Sequence, residues 1–236
     1  PKEFGKVKIL AMIPFHHIFG FVAVFLWYTW YGKTIVFPSS LAPSEIQDIC
    51  KKRKVSHIYS VPLFWDSLVT QFERKKALES EDKQALIRKF MEYNLKKINA
   101  EQAGLASKKI ARKTIQKSLL GDRVRYCISG GGYLNNKTIN FVNGFGYPLY
   151  NGFGMTELGV TSVELSSDVY DRLEGTIGHP FYGVSYKIKP NGEDSNLGEL
   201  FVKSSITHIR EIIGGTEKEV ELDNEGYSVI CITSTL

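Results

Sequence analysis

The sequence predicts an α/β protein, with a parallel sheet flanked by helices and then a smaller β-rich subdomain. Three observations carry this reading. Between Lys8 and Phe72, short apolar runs alternate with helical patterns, as crossover connections between parallel strands require. Between Val124 and Gly159, two more apolar runs each lead into glycine-rich sequence. From Gly175 onward the helical texture gives way to alternation and turn residues. The predicted division is therefore 1–174 for the α/β part and 175–236 for the β-rich part. At 236 residues and 43% hydrophobic, the chain is long enough to bury a sizeable core.

Lys8 to Ile13 (KILAMI) reads as a short buried strand closed by Pro14, followed by Phe15-His16-His17-Ile18-Phe19-Gly20 and an apolar helix through Trp30. Lys33 to Phe37 is a second strand, ended by Pro38-Ser39-Ser40. Pro43-Ser44 opens a helix that finishes in Lys51-Lys52-Arg53-Lys54, cations that complement the helix dipole and need no partner. His57 to Val61 is a third strand, and a helix starts after Pro62 and runs through Phe72. A helical insertion covers about 73–120. Leu86, Ile87, Phe90, Met91, Leu95 and Ile98 recur at three and four residues along its first helix. A second helix carries Ile110, Ile115 and Leu119 and stops at Gly121, a C-cap residue type.

Val124 to Ile128 is the next strand, breaking at Ser129 into Gly130, Gly131 and Gly132. A helix with Ile139, Phe141 and Val142 on its apolar side leads to a further run, Tyr147 to Tyr150. That run breaks in turn at Asn151-Gly152-Phe153-Gly154 and leads to Met155-Thr156-Glu157. Two strands thus end side by side, each spilling into a glycine-rich loop, where ligands sit in open α/β sheets. The residue types suit a nucleotide. Glycines admit close approach of the backbone, and turn N–H groups make anion-binding concavities. Phe153 can cover a purine face, Thr156 can donate to a phosphate oxygen, and Glu157 is a hard oxygen ligand for Mg²⁺. The plain alternative is a glycine-rich connection with Glu157 as a helix-start carboxylate. A dinucleotide-binding domain fits less well, because Gly130-Gly131-Gly132 lacks the G-x-G-x-x-G spacing.

Tyr150 to Glu157 closely resembles the Y-x-x-Y-G-x-T-E signature of the adenylate-forming superfamily, which includes the acyl-CoA synthetases, with Phe153 where the family usually has Tyr. Ser129-Gly130-Gly131-Gly132 is similar to its S-G-G-A-P-L segment, and Pro14 to Gly20 to its P-L-F-H-x-x-G motif, aligning His17 and leaving His16 as packing. Gly175-Thr176-Ile177-Gly178-His179-Pro180 with Gly183 resembles G-S-V-G-x-P-x-x-G, which enters a smaller, β-barrel-like subdomain; Gly198 to Val202 resembles its G-E-L-x-V/I strand. The resemblance implies the central part of a large N-terminal domain, and an enzyme that joins a carboxylic acid to ATP as an acyl-adenylate and passes the acyl group to a thiol. By resemblance, Gly130 to Gly132 and Tyr150 to Phe153 hold adenine, with Ser129, Gly154 and Met155 also in the cofactor site, Thr156 holds the phosphate and Glu157 the Mg²⁺, while His17 steadies charge on the attacked phosphate. The length of the insertion is similar to that of long-chain fatty acid–CoA ligases. CoA is the expected thiol and an acyl carrier protein its rival, whose acidic surface would suit the basic insertion at Lys108, Lys109 and Arg112.

The resemblance also has gaps. The family's Ser/Thr/Gly-rich phosphate loop has no counterpart here. Asp223-Asn224-Glu225-Gly226-Tyr227 resembles the approach to T-G-D, yet Ser228 to Thr233 contains no T-G-D. The C-terminal lid domain with its adenylation lysine is also lacking. The expectation is a piece of a larger enzyme, inactive alone; a non-catalytic nucleotide- or acyl-binding module is the alternative.

Composition bounds the partners. The net charge is +5 and the pI about 9.0, but the excess is local: 73–113 holds twelve Lys or Arg against six Asp or Glu. Because acidic residues are interspersed and aromatics are not interleaved, this reads as a solvated helical face rather than a nucleic-acid site. Peripheral membrane contact through that insertion is compatible with its charge but has no support of its own. Ile18 to Gly32, the longest charge-free apolar run, is shorter than the ~20 residues a bilayer demands. Cys50, Cys127 and Cys231 lie far apart without metal-ligand spacing, which favours a reducing, cytoplasmic setting.

Overall fold

The structure, a computed structural model, describes residues 7–104, 114–191, 194–206 and 210–235. Its centre is a six-stranded sheet in the order β2-β1-β3-β4-β5-β6. The strands are β1 (Lys8–Ala11), β2 (Thr34–Val36), β3 (His57–Ser60), β4 (Tyr126–Ser129), β5 (Leu149–Met155) and β6 (Gly159–Val163). The first five run parallel, and β6 closes the edge as an antiparallel hairpin with β5. The predicted α/β class and parallel sheet are therefore observed.

Alternation along β1 divides the core into two faces. Leu10 enters the larger cluster with Ile58, Cys127 and Leu149. Ile9 and Ala11 enter a smaller one with Val24 and Tyr28. The larger face is covered by α2 (Pro43–Arg53), α3 (Pro62–Lys76), α4 (Glu81–Asn94) and α5 (Asn136–Gly144). Ile46, Trp65, Phe72, Ile87, Phe90, Val142 and Phe145 fill the space beneath them. Phe72 meets Phe145 edge-on at 4.6 Å and Phe141 at 5.5 Å, a favoured aromatic geometry. Burial pushes the Cys50 thiol up to about 12 and that of Cys127 well above its ordinary value, so both are apolar filling.

Helix boundaries follow local chemistry. Proline opens α2 and α3, where its missing N–H is no loss. Asn135 caps α5 by accepting from the Thr138 N–H at 2.8 Å. Lys54 ends α2 in the left-handed conformation, φ 58°. The predicted first insertion helix is shorter than its apolar spacing suggests. It ends at Asn94, whose side-chain amide donates to the Gly144 carbonyl at 2.8 Å, and Lys96 at φ 56° turns the chain away before Ile98. Much of the second predicted helix, including Ile110, lies outside the described residues; Ile115 and Leu119 are buried as expected.

On the opposite face, the predicted helix after Gly20 is present, but Phe19–Leu26 is π-helical and passes into α1 (Trp27–Trp30). A Cβ on Gly20 would lie 2.5 Å from the Pro14 carbonyl oxygen, so only glycine lets this segment pack so tightly against the end of β1. No helix of the described residues is long and apolar enough to cross a membrane.

Beyond α6 (Val169–Leu173), β7 (Val184–Asn191), β8 (Asp194–Ser204) and β11 (Ser228–Thr235) form an antiparallel sheet in the order β11-β8-β7, and β9 (Arg210–Ile213) pairs with β10 (Thr216–Glu219). Pro190 and Asn191, expected in a turn, belong to β7 because β8 pairs with them.

Candidate nucleotide and acyl site

At the carboxyl ends of the parallel strands a cavity of about 500 Å³ opens between three segments remote in sequence. His17, Ile18 and Phe19 come from the turn after β1; Gly130 and Gly131 follow β4; Gly152 to Glu157 come from β5 and its hairpin turn. Val61, Val160 and Val163 complete an apolar wall. This volume is in the range of small-molecule sites, about 300–1,000 Å³.

The second glycine run is not a loop, as the sequence suggested. Asn151 continues the parallel pairing, opposite Ser129, and the strand then runs on to Met155 because β6 folds back and pairs with it. Gly152 and Gly154 share one side of β5, Phe153 and Met155 the other. A Cβ on Gly154 would meet the Gly159 carbonyl oxygen at 2.3 Å and the Val160 Cα at 2.8 Å, so the hairpin closes only over glycine. Phe153 and Met155 pack toward Leu158, Leu200 and Val202, and the Phe153 ring meets Tyr186 edge-on at 6.2 Å. Thr156 and Glu157 occupy the exposed turn, closed by the Leu158 N–H donating to the Met155 carbonyl at 3.2 Å. Glu157 is thus a hairpin-turn carboxylate and does not start a helix.

The first glycine run does leave the sheet. The Gly130 N–H donates to the Ser60 carbonyl at 3.2 Å, holding β4 against β3, and Gly131 then turns with φ 78°. A Cβ on Gly130 would meet the Phe19 ring at 3.0 Å, so this glycine brings the loop and the π-helical segment together at the cavity wall. His17 is fixed at its backbone: its N–H donates to the Pro14 carbonyl at 3.1 Å, and its carbonyl accepts from Phe21 at 2.9 Å. The rings of His16 and His17 lie 4.7 Å apart, yet only His17 lines the cavity.

Four of the expected site residues do not line the cavity. Ser129 is fully buried with its hydroxyl unpartnered. Gly132 lies beside Pro62. The Tyr150 ring packs between Tyr126, at 5.9 Å, and the Arg172 guanidinium, at 5.6 Å. Burial raises the pKa of the Tyr150 hydroxyl and lowers that of Arg172. The Asn151 amide donates to the Gly175 carbonyl at 3.0 Å, binding β5 to the segment entering the second sheet. That segment is pinned to β6 as well. The Phe181 N–H donates to Thr161 at 2.9 Å, and the Tyr186 hydroxyl lies 2.7 Å from Thr161 Oγ1. Phe19, Val160 and Val163 were not singled out from the sequence; the period-two pattern Gly-Phe-Gly-Met at 152–155 was the signal for the hairpin that brings the two valines in.

The profile of the family described as AMP-binding enzyme matches residues 2–208. Long-chain-fatty-acid–CoA ligase 2 of Schizosaccharomyces pombe is 24% identical over 188 residues, 78% of this chain and 27% of the relative. A 2-succinylbenzoate–CoA ligase of Staphylococcus aureus is 24% identical over 234 residues, 94% of this chain and 38% of the relative. The chain therefore spans well under half the length of either. Among solved structures, the o-succinylbenzoate coenzyme A synthetase of Bacillus subtilis in complex with ATP and magnesium ion aligns with 95% of this chain and 41% of its own, at TM-score 0.54 and 20% identity. That likeness is one of fold.

Proposed function

Because the chain belongs to the AMP-binding enzyme family, we propose that it forms the adenylate-holding part of an ATP-dependent acid–thiol ligase. The observation that carries this is the convergence of three separate motifs on one cavity: His17, Gly130-Gly131, and Gly152 to Glu157. In this reading the carboxylate of the acid attacks the α-phosphate of ATP, releasing pyrophosphate and leaving an acyl-adenylate. A thiol, CoA by the names of both curated relatives, then displaces AMP and takes the acyl group as a thioester.

Each residue has a definite task in that sequence. Gly152 and Gly154 present a side-chain-free strand against which adenine can lie. Phe153 supports it from behind, held edge-on by Tyr186. The Thr156 hydroxyl donates to a phosphate oxygen, and the His17 ring, donating a hydrogen bond, opposes the charge that grows on the attacked phosphate. Mg²⁺ is usually held by one or two carboxylates together with substrate phosphates. Glu157, a hard oxygen donor in the exposed turn beside Thr156 at the cavity, would supply one such carboxylate. The donor set therefore fits this ion, which would neutralise phosphate charge during displacement. Ile13, Ile18, Phe19, Val61, Val160 and Val163 make the rest of the wall apolar, which favours a fatty acid over a polar one. In the intact protein, Glu157→Ala should abolish acid-dependent pyrophosphate release, by about 10²-fold or more, while leaving the thermal unfolding midpoint unchanged. Normal pyrophosphate release by that variant would remove Glu157 from the metal role.

A further inference from the structure

At the opposite edge of the sheet, where the parallel strands begin, cations converge from several elements. Lys8 opens β1, and its N–H donates to Ser56 Oγ at 3.0 Å; the Arg125 N–H donates to the Ser56 carbonyl at 2.8 Å. Lys51–Lys54 end α2 immediately before Ser56, all four exposed. The Lys51 side chain lies against Gly121, a Cβ there meeting its Cγ at 3.3 Å, which draws exposed Arg123 alongside. Lys33 precedes Thr34, the register partner of Lys8. A helix terminus accounts for about half a charge, far less than this cluster supplies. Among the described residues, no ion pair neutralises Lys51–Lys54, Arg123 or Arg125. The Arg125 guanidinium donates to two backbone carbonyls, those of Asp122 and Val124, which carry no formal charge.

The same edge also carries exposed aromatics. The helix that crosses from the cavity end of β1 back to the start of β2 finishes in Trp27, Trp30 and Tyr31, all exposed, Trp30 by 86%. They sit directly before Gly32 and Lys33. Trp and Tyr rings beside Lys and Arg are the residue types that settle at the boundary between lipid headgroups and acyl chains.

We propose that this strand-start edge rests on an anionic lipid bilayer. The lysines and arginines meet the headgroups, and Trp27 and Trp30 enter the interfacial zone. The cavity, at the other end of the strands, then faces the aqueous phase. Nucleic acid would satisfy the charge but gives no reason for indoles placed at the margin of the cluster rather than among the cations.

The test is co-sedimentation of the intact protein with vesicles of phosphatidylcholine alone and of phosphatidylcholine mixed with phosphatidylglycerol. Binding to the mixed vesicles only is expected, weakening as salt is added. The triple variant Lys52→Glu, Arg53→Glu, Arg123→Glu should bind on the order of 100-fold more weakly, with its circular dichroism unchanged. Trp30→Ala should weaken binding about tenfold while keeping the salt dependence. Equal binding to both vesicle types, no binding to either, or a triple variant that binds like the wild type would overturn the proposal. So would capture of duplex DNA or RNA in place of vesicles. Wild-type binding by Trp30→Ala would overturn the role given to the aromatic margin.

Discussion

His17 and His16 are neighbours with rings 4.7 Å apart, both exposed, and differ chiefly in what they face. Of the two, only His17 lines the cavity, as do Thr156 and Glu157 from the far hairpin. If His17 opposes charge developing on phosphorus, its loss should lower the rate of adenylation without a matching change in substrate affinity. His17→Ala is therefore expected to reduce kcat for pyrophosphate release by about 10²-fold, and His16→Ala to leave it nearly unchanged. Equal effects of the two substitutions in steady-state assays would mean that the pair serves packing alone. This distinction was legible in the sequence through the motif around Gly20. The neighbour Phe19 was not, because its place in the wall depends on contact with Gly130, 111 positions further along the chain.

Among elements, the hairpin of β5 and β6 shows where sequence reading fails and why. Gly152 and Gly154 carry no hydrophobic signal, so an alternating strand looked like a loop; its strand character comes from pairing with β6. The π-helical segment Phe19–Leu26 escaped for a related reason, since FGFVAVFL is apolar on every side and offers no stripe from which to read a period. Elements with a local signature were easier: proline at the starts of α2 and α3, and Asn135 at the start of α5. Residues 116–121 are joined to the segment entering β5 by the Gln116 amide, which donates to the Phe145 carbonyl at 3.0 Å, and by one phenol. The buried Tyr147 hydroxyl lies 2.9 Å from the carbonyls of both Gln116 and Gly121 and accepts from the Leu120 N–H at 3.2 Å. Tyr147→Phe keeps the ring but takes this partner from the Leu120 N–H and the Gly121 carbonyl, while the Gln116 carbonyl still accepts from the Leu119 and Gly121 N–H groups. It should lower the unfolding free energy by about 1–3 kcal/mol in urea titrations, and an unchanged midpoint would show that other groups satisfy them.

For the molecule as a whole, the sheet divides the labour: a cavity at the carboxyl ends, apolar core on one face, and an aromatic row on the other. Tyr28, His57 and Tyr126 adjoin in that row. His57 stacks on Tyr126 at 4.8 Å and meets Tyr28 edge-on at 5.8 Å. Burial there pulls its pKa down from 6.5 to about 4. The unfolded chain thus takes up this proton at a higher pH than the folded one. Stability should fall as pH drops from about 6.5 toward about 4, by up to roughly 3 kcal/mol from this one group. Urea unfolding followed across that window should show the loss, and His57→Phe should flatten it. A variant that retains the full acid sensitivity would place the cause elsewhere.

In the proposed function, the cavity at the carboxyl ends of the strands holds an acyl-adenylate. Calorimetric titration of the intact protein with a non-hydrolysable long-chain acyl-adenylate analogue tests it most directly, alongside the exposed-turn variant Thr156→Val. One analogue is expected to bind per chain. Affinity should fall by about ten- to a hundredfold when the Thr156 hydroxyl no longer meets the phosphate group. Absence of binding, or affinity indifferent to Thr156, would contradict it.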